Sequence, residues 1–154
     1  MRRHFVIVAC LELTAGCTMP RKHTTHATAR TDVTSYVPAT FDEVADAPAL
    51  VEVDLNEKFS GDIEGDGIAR VIQAASKGAT TTFVAIERVR GSITGRKGTF
   101  VLEVRGTVVN KKMHAEWSVV KGSGTGELTG LRGDGGFTAQ LGQHGSVWLD
   151  YSLG

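Results

Sequence analysis

Beyond residue 17 the chain has no cysteine, since its two, Cys10 and Cys17, both lie near the start. The body therefore holds no disulfide and no thiolate metal site, and its core carries no mark of a redox compartment. Clustered positive charge is missing as well. Residues 1–23 carry Arg2, Arg3, Arg21 and Lys22 against Glu12, and the remaining 13 basic and 16 acidic residues leave the body at −3. Phosphate neutralisation needs grouped Lys and Arg, so no nucleic-acid partner is expected. Lys111-Lys112 is too short a pair to change that and reads as a solvated hairpin tip. No apolar run is long enough for a membrane helix, the longest near the start being Phe5–Leu13. Amphipathic helices are absent too: no segment keeps a convincing period of 3.6 residues.

What is present is glycine, concentrated in one place. Gly122–Phe137 holds seven glycines in sixteen residues, interrupted by Leu128, Leu131 and Phe137. The apolar residues exclude a flexible linker, and the glycines suit a strand that kinks and lets its neighbours approach closely.

At 154 residues, 41% apolar and 22% charged, the chain forms a single domain with one core. Two alternatives remain for the N-terminus. Arg2-Arg3-His4, the apolar Phe5–Leu13 and the small residues before Cys17 make a lipoprotein-type export signal, with Cys17 lipidated and the protein anchored to a membrane. Otherwise translation starts at Met19, residues 1–18 are a mis-assigned upstream start, and the protein is cytoplasmic. Either way the domain spans residues 19–154.

Period-two alternation dominates the body. Leu50–Gly61 sets Val51, Val53, Leu55 and Phe59 on one face against Glu52, Asp54, Asn56 and Lys58. Lys112–Val120 turns Met113, Ala115, Trp117 and Val119 inward and His114, Glu116 and Ser118 outward. Further strands are expected over Thr25–Tyr36, Gly65–Ala75, Ala79–Ile93, Lys97–Gly106, Gly124–Gln140 and Ser146–Leu153, with Pro38–Pro48 a loop or short helical turn. Eight consecutive strands, each with an apolar face and joined by short turns, predict an all-β, eight-stranded antiparallel barrel, because closure removes both edges. A two-sheet sandwich is the alternative.

Five blocks carry a resemblance: Phe59–Gly65, Ile86–Gly91, Gly95–Phe100, Trp117–Val120 and the glycine-rich stretch. In this order, from about Thr24 to Leu153, they resemble a bacterial family of unknown function. The family is similar in fold to allene oxide cyclase, a calycin-like barrel. Plant allene oxide cyclases and dirigent proteins carry a comparable Gly-x-Gly segment, matched here by Gly122–Gly133. The resemblance implies the barrel. It implies no activity, because shared fold alone is only an analogy for function.

Glu87 is the first candidate catalytic residue. It shares the phase of Phe83, Ala85 and Val89, and both faces of its strand are largely apolar, so the period leaves its direction open. Pointing inward, it is a desolvated carboxyl with a raised pKa, suited to general-base work or to holding a ligand hydroxyl. Pointing outward, it is an ordinary surface or ion-paired glutamate. Glu64 and Glu127 are lesser candidates: Glu64 sits among acidic turn residues, and Glu127 can pair with Arg132 or Arg96. Trp117, Phe100, Phe83 and Tyr151 face the interior, as core filling or as the walls of a ligand cavity.

Other motifs fail on spacing. Asp62–Gly67 lacks the closing glutamate and flanking helices of a calcium loop. The glycine cluster lacks the dinucleotide and P-loop patterns. His23, His26, His114 and His144 are dispersed, and no metal is expected. No cofactor is expected either. The reading is a barrel that binds a small apolar molecule. Its alternatives are an isomerase or cyclase using an inward carboxylate, and a filled barrel acting as a homo-oligomeric module.

Overall fold

The computed structural model describes residues 24–78 and 80–154. The export-signal and start-site readings concern residues outside these. Eight strands run in order: β1 (Thr25–Asp42), β2 (Ala49–Gly61), β3 (Ile63–Ala75), β4 (Thr81–Ile93), β5 (Arg96–Val109), β6 (Lys112–Val119), β7 (Leu131–Gln140) and β8 (Gly145–Leu153). Each pairs antiparallel with the next, and β8 returns to β1, from Thr25↔Tyr151 to Thr31↔Gly145, closing the barrel. The alternating stripes dictate this closure: one apolar face per strand is buried only when the sheet rolls onto itself.

The two ends differ. At one end Phe59, Ile63, Ile93, Phe100, Leu128 and Leu131 are at most 2% exposed and fill the interior. Burying each such side chain contributes about 1.5–3 kcal/mol. Leu128 comes from a 3-10 turn, Gly126–Leu128, in the long β6–β7 connection. A strand was expected from Gly124, but β7 begins only at Leu131. The intervening segment satisfies the β5 edge with side chains instead. Ser123 Oγ accepts from the Val101 N–H at 3.0 Å, and Thr125 Oγ1 accepts from the Thr99 N–H at 3.0 Å. Glycine makes this approach possible, since a Cβ on Gly98 would lie 2.0 Å from the Thr125 carbonyl oxygen. The first half of the cluster thus works as a plug, while its second half, from Leu131, is glycine-rich strand as expected.

At the other end the strands of the first half outrun the rest. β1 was expected to stop near Tyr36 and continues to Asp42, with Pro38 opposite Val53. Proline is tolerated there because β1 beyond Thr31 pairs only with β2, which makes it an edge. A bulge between Val33 and Ser35 adds one residue and so swaps the faces beyond it. Val33 and Tyr36 therefore both line the mouth of the barrel.

Candidate functional site

Inside the open end lies a cavity of about 310 Å³. Leu55, Val71, Phe83, Met113 and Phe137 form its walls, and Ala69, Ala85 and Ala139 make the room. Most glycine gaps further along the barrel are occupied. The tip of Phe83 sits where a Gly106 side chain would be, and the Trp117 indole sits over Gly135. Wider depressions, such as one of about 390 Å³ bounded by Glu103, Arg105, Glu116 and Asp134, are open grooves on the outer surface. Enclosure and apolar walls mark the interior cavity as the better site.

The floor of the cavity is polar. Glu57 on β2 pairs in register with Gly67 of β3, and Glu87 on β4 pairs with Ala69 of β3. The two glutamates flank a strand that has almost no side chain between them, so their carboxyl groups meet within hydrogen-bonding reach. The carboxyl of Glu87 lies directly over Gly67, where a Cβ would stand 2.0 Å from Oε1. Thr31 closes the floor from β1. Glu87 is 3% exposed and Thr31 6%.

Burial raises Glu87 well above the usual carboxylate range, and the charge of Glu57 and the hydrogen bond to it raise it further. Glu57 is raised too, again chiefly by burial, while hydrogen bonding toward Thr31 and Glu87 pulls it partly back. Of the two, Glu87 holds its proton the more firmly and is the one disposed to donate toward Glu57. The influence of Thr31 on Glu57 is one of proximity, because its Oγ1 closes no hydrogen bond of good geometry. Glu87 Oε1 is also without a partner. Buried polar atoms in folded proteins are nearly always paired, and each orphan costs about 1–3 kcal/mol. Both orphans belong to residues that line the cavity.

Of the residues singled out by sequence, Glu87 and Phe83 reach this cavity. Trp117 stands behind its wall, 5.6 Å from Phe137 between ring centroids, with its indole N–H donating to the Trp148 carbonyl at 3.1 Å. Phe100 and Tyr151 belong to the sealed end, where Tyr151 and Thr94 hydroxyls share a 2.7 Å hydrogen bond. Glu64 is exposed on the exterior. Glu127 is also outside, and its carboxylate accepts from the Lys97 backbone N–H at 2.8 Å rather than pairing with Arg132 or Arg96. His26 lies on the outer seam, bonded to Asp150 at 2.6 Å and stacked on Trp148.

Glu57 is the residue that sequence reading passes over. Its phase is the signal: it alternates with Val53, Leu55 and Phe59, so it had to face inward with them.

The family described as a protein of unknown function, DUF3224, matches residues 27–151. Among solved structures, the chain is similar to a protein of unknown function from the DUF3224 family from Shewanella oneidensis MR-1, determined at 1.84 Å. The two are 28% identical, the similarity covers 86% of this chain and 99% of that one, and the TM-score is 0.72. No curated protein matches the sequence. With the family match running from the first strand into the last, and a solved member that has the same fold, the chain belongs to the DUF3224 family.

Proposed function

We propose that the protein binds a small, largely apolar molecule inside the open end of the barrel. One observation carries this reading: an apolar cavity inside the open end of the barrel, lined at its floor by the buried acid Glu87 and by Glu57. Small barrels either fill with side chains or hold one ligand. Here the sealed end is filled and the open end is not. A volume of about 310 Å³ corresponds to about ten water-sized atoms at about 30 Å³ each. Isomerisation or cyclisation by the same acid pair would be an extension of this binding, because a proton held on Glu87 can be given and taken back at one place.

Toluene is a suitable neutral probe. Its addition should shift the methyl NMR signals of Ala69, Ala85 and Met113 and leave those of Leu131 and Ile63 at the sealed end in place. Ala85→Trp should fill the space and abolish the shifts while the fold, followed by circular dichroism, persists. Absent shifts in the folded wild type, or shifts unchanged by Ala85→Trp, would overturn the reading.

A second reading concerns the exterior. The β1 overhang exposes Val37 and Phe41, which do not line the cavity, beside an unpaired strand edge, each more than half exposed. Such an edge is a template for another strand. Two copies related by a two-fold axis would pair their β1 edges antiparallel and cover these residues. Sedimentation should then show a dimer, reduced to monomer by Val37→Lys with Phe41→Lys. A wild-type monomer at every concentration reached would end this reading.

A further inference from the structure

Among the described residues lining the cavity the charged groups are all of one kind, beside the neutral amides of Gln73, Gln140 and Gln143. Glu57, Glu87 and Thr31 all line the floor, and none of the described residues lining the cavity is Lys, Arg or His. Tyr36 at the rim is the only other titratable group among them. From β3 the floor meets Gly67 and Ala69, and from β5 Val104, none of which carries charge. Glu87 Oε1, packed against Gly67, and Thr31 Oγ1 are buried without a hydrogen-bond partner, and both residues line this space.

This acceptor set discriminates among ligands. A fatty acid would bring a third carboxylate toward two acids, with no cationic side chain among the described lining residues to balance it. An alcohol supplies one O–H, which satisfies a single acceptor. An ammonium group supplies three N–H donors and a positive charge. The floor is lined by three oxygen-bearing side chains, with apolar walls leading from it to the mouth. Gly67 leaves room for them, since any side chain there would occupy the place of the Glu87 carboxyl.

Resting on the binding function proposed above, we infer that the cavity selects a primary alkylamine, its ammonium seated between Glu57 and Glu87 and its chain running toward the mouth. The cavity volume limits the molecule to about ten non-hydrogen atoms. The amine replaces the proton held on Glu87, so seating it releases that proton to solvent. Affinity accordingly rises with pH while the amine itself stays protonated, as an alkyl ammonium with a pKa near that of lysine, about 10.4, does.

Hexylamine, 1-hexanol and hexanoate make the test, titrated calorimetrically into the full chain in two buffers of different ionisation enthalpy. Hexylamine should bind at least about tenfold tighter than hexanol, a difference of about 1.4 kcal/mol. Its apparent enthalpy should depend on the buffer, reporting proton release, and hexanoate should bind weakest. Glu87→Gln and Glu57→Gln should each remove the preference for amine over alcohol, with the fold followed by circular dichroism. If toluene binds but hexylamine is no tighter than hexanol, or if neither glutamine variant changes the amine affinity, the amine assignment fails and the binding cavity stands. If toluene and hexylamine both fail to bind the folded protein, the cavity reading falls and the assignment falls with it.

Discussion

Gly91→Ala should destabilise the barrel by about 3 kcal/mol or more, while Gly67→Ala, with nearly the same clash, should change stability by only about 1 kcal/mol. A Cβ on Gly91 would stand 1.8 Å from the Glu64 carbonyl oxygen and 2.7 Å from the Gly65 Cα. Both are backbone atoms of the paired strand β3, in register at Gly65↔Gly91. A Cβ has no rotamer, so β3 and β4 must separate, and the ladder that closes the barrel beside Ile63 and Ile93 opens with them. Gly65 itself has φ +136°, a conformation that resists any compensating substitution.

At Gly67 the short contact, 2.0 Å, is with Glu87 Oε1, the far end of a flexible side chain, with Phe59 Cε2 next at 2.9 Å. The carboxyl can swing into the cavity. Neither Gly67 nor Gly91 has a positive φ, so the entropy gained by restricting the unfolded chain is the same for both and cancels in the comparison. Urea unfolding of the two variants checks the contrast. Equal losses would show that backbone and side-chain contacts yield alike here, against the expectation. The same Gly67→Ala change should still harm ligand binding, because it displaces the carboxyl that the floor depends on.

These two glycines show what sequence can and cannot convey. The strands were legible because alternation such as Val51, Val53, Leu55 is a local property of one strand. The barrel followed from the number of such stripes. Which glycines matter, and why, was not legible, because Gly91 answers to β3, Gly135 to Trp117 on β6, and Gly98 to the loop at Thr125. The first part of the glycine-rich stretch, before Leu131, was misread as strand for the same reason: its Ser123 and Thr125 take their backbone partners from β5, some 22 to 26 residues earlier. The acid pair was half legible. Glu87 stood out against apolar neighbours on both faces. Glu57 lay in a strand whose outward face is already charged, and glutamate is rarely buried without a partner. That partner lies on a strand two places away, and no spacing along the chain announces it.

Glu87→Gln should be as stable as wild type near pH 5 and more stable near pH 9, by about 1–3 kcal/mol, or about 3–10 °C in Tm. The sign follows from the protons. Folding raises the pKa of Glu87 above its unfolded value, through burial first and the charge of Glu57 second. Between those two values the folded state binds more protons than the unfolded state, so stability falls as pH rises. The contribution is fully present below the ordinary carboxylate range and is lost as pH climbs through the raised pKa. The fall is at most about 1.4 kcal/mol per pH unit for one proton. Glutamine at 87 keeps an N–H donor for the Glu57 carboxylate and has nothing to lose, so it holds the protonated arrangement at every pH. Glu57, also raised mainly by burial, leaves a smaller slope of the same sign in the variant. Denaturant unfolding of both proteins across this range gives the difference curve directly, with the other titrating groups common to both. Parallel curves would mean that Glu87 ionises as freely in the barrel as in water, and the firmly held proton would go with that result.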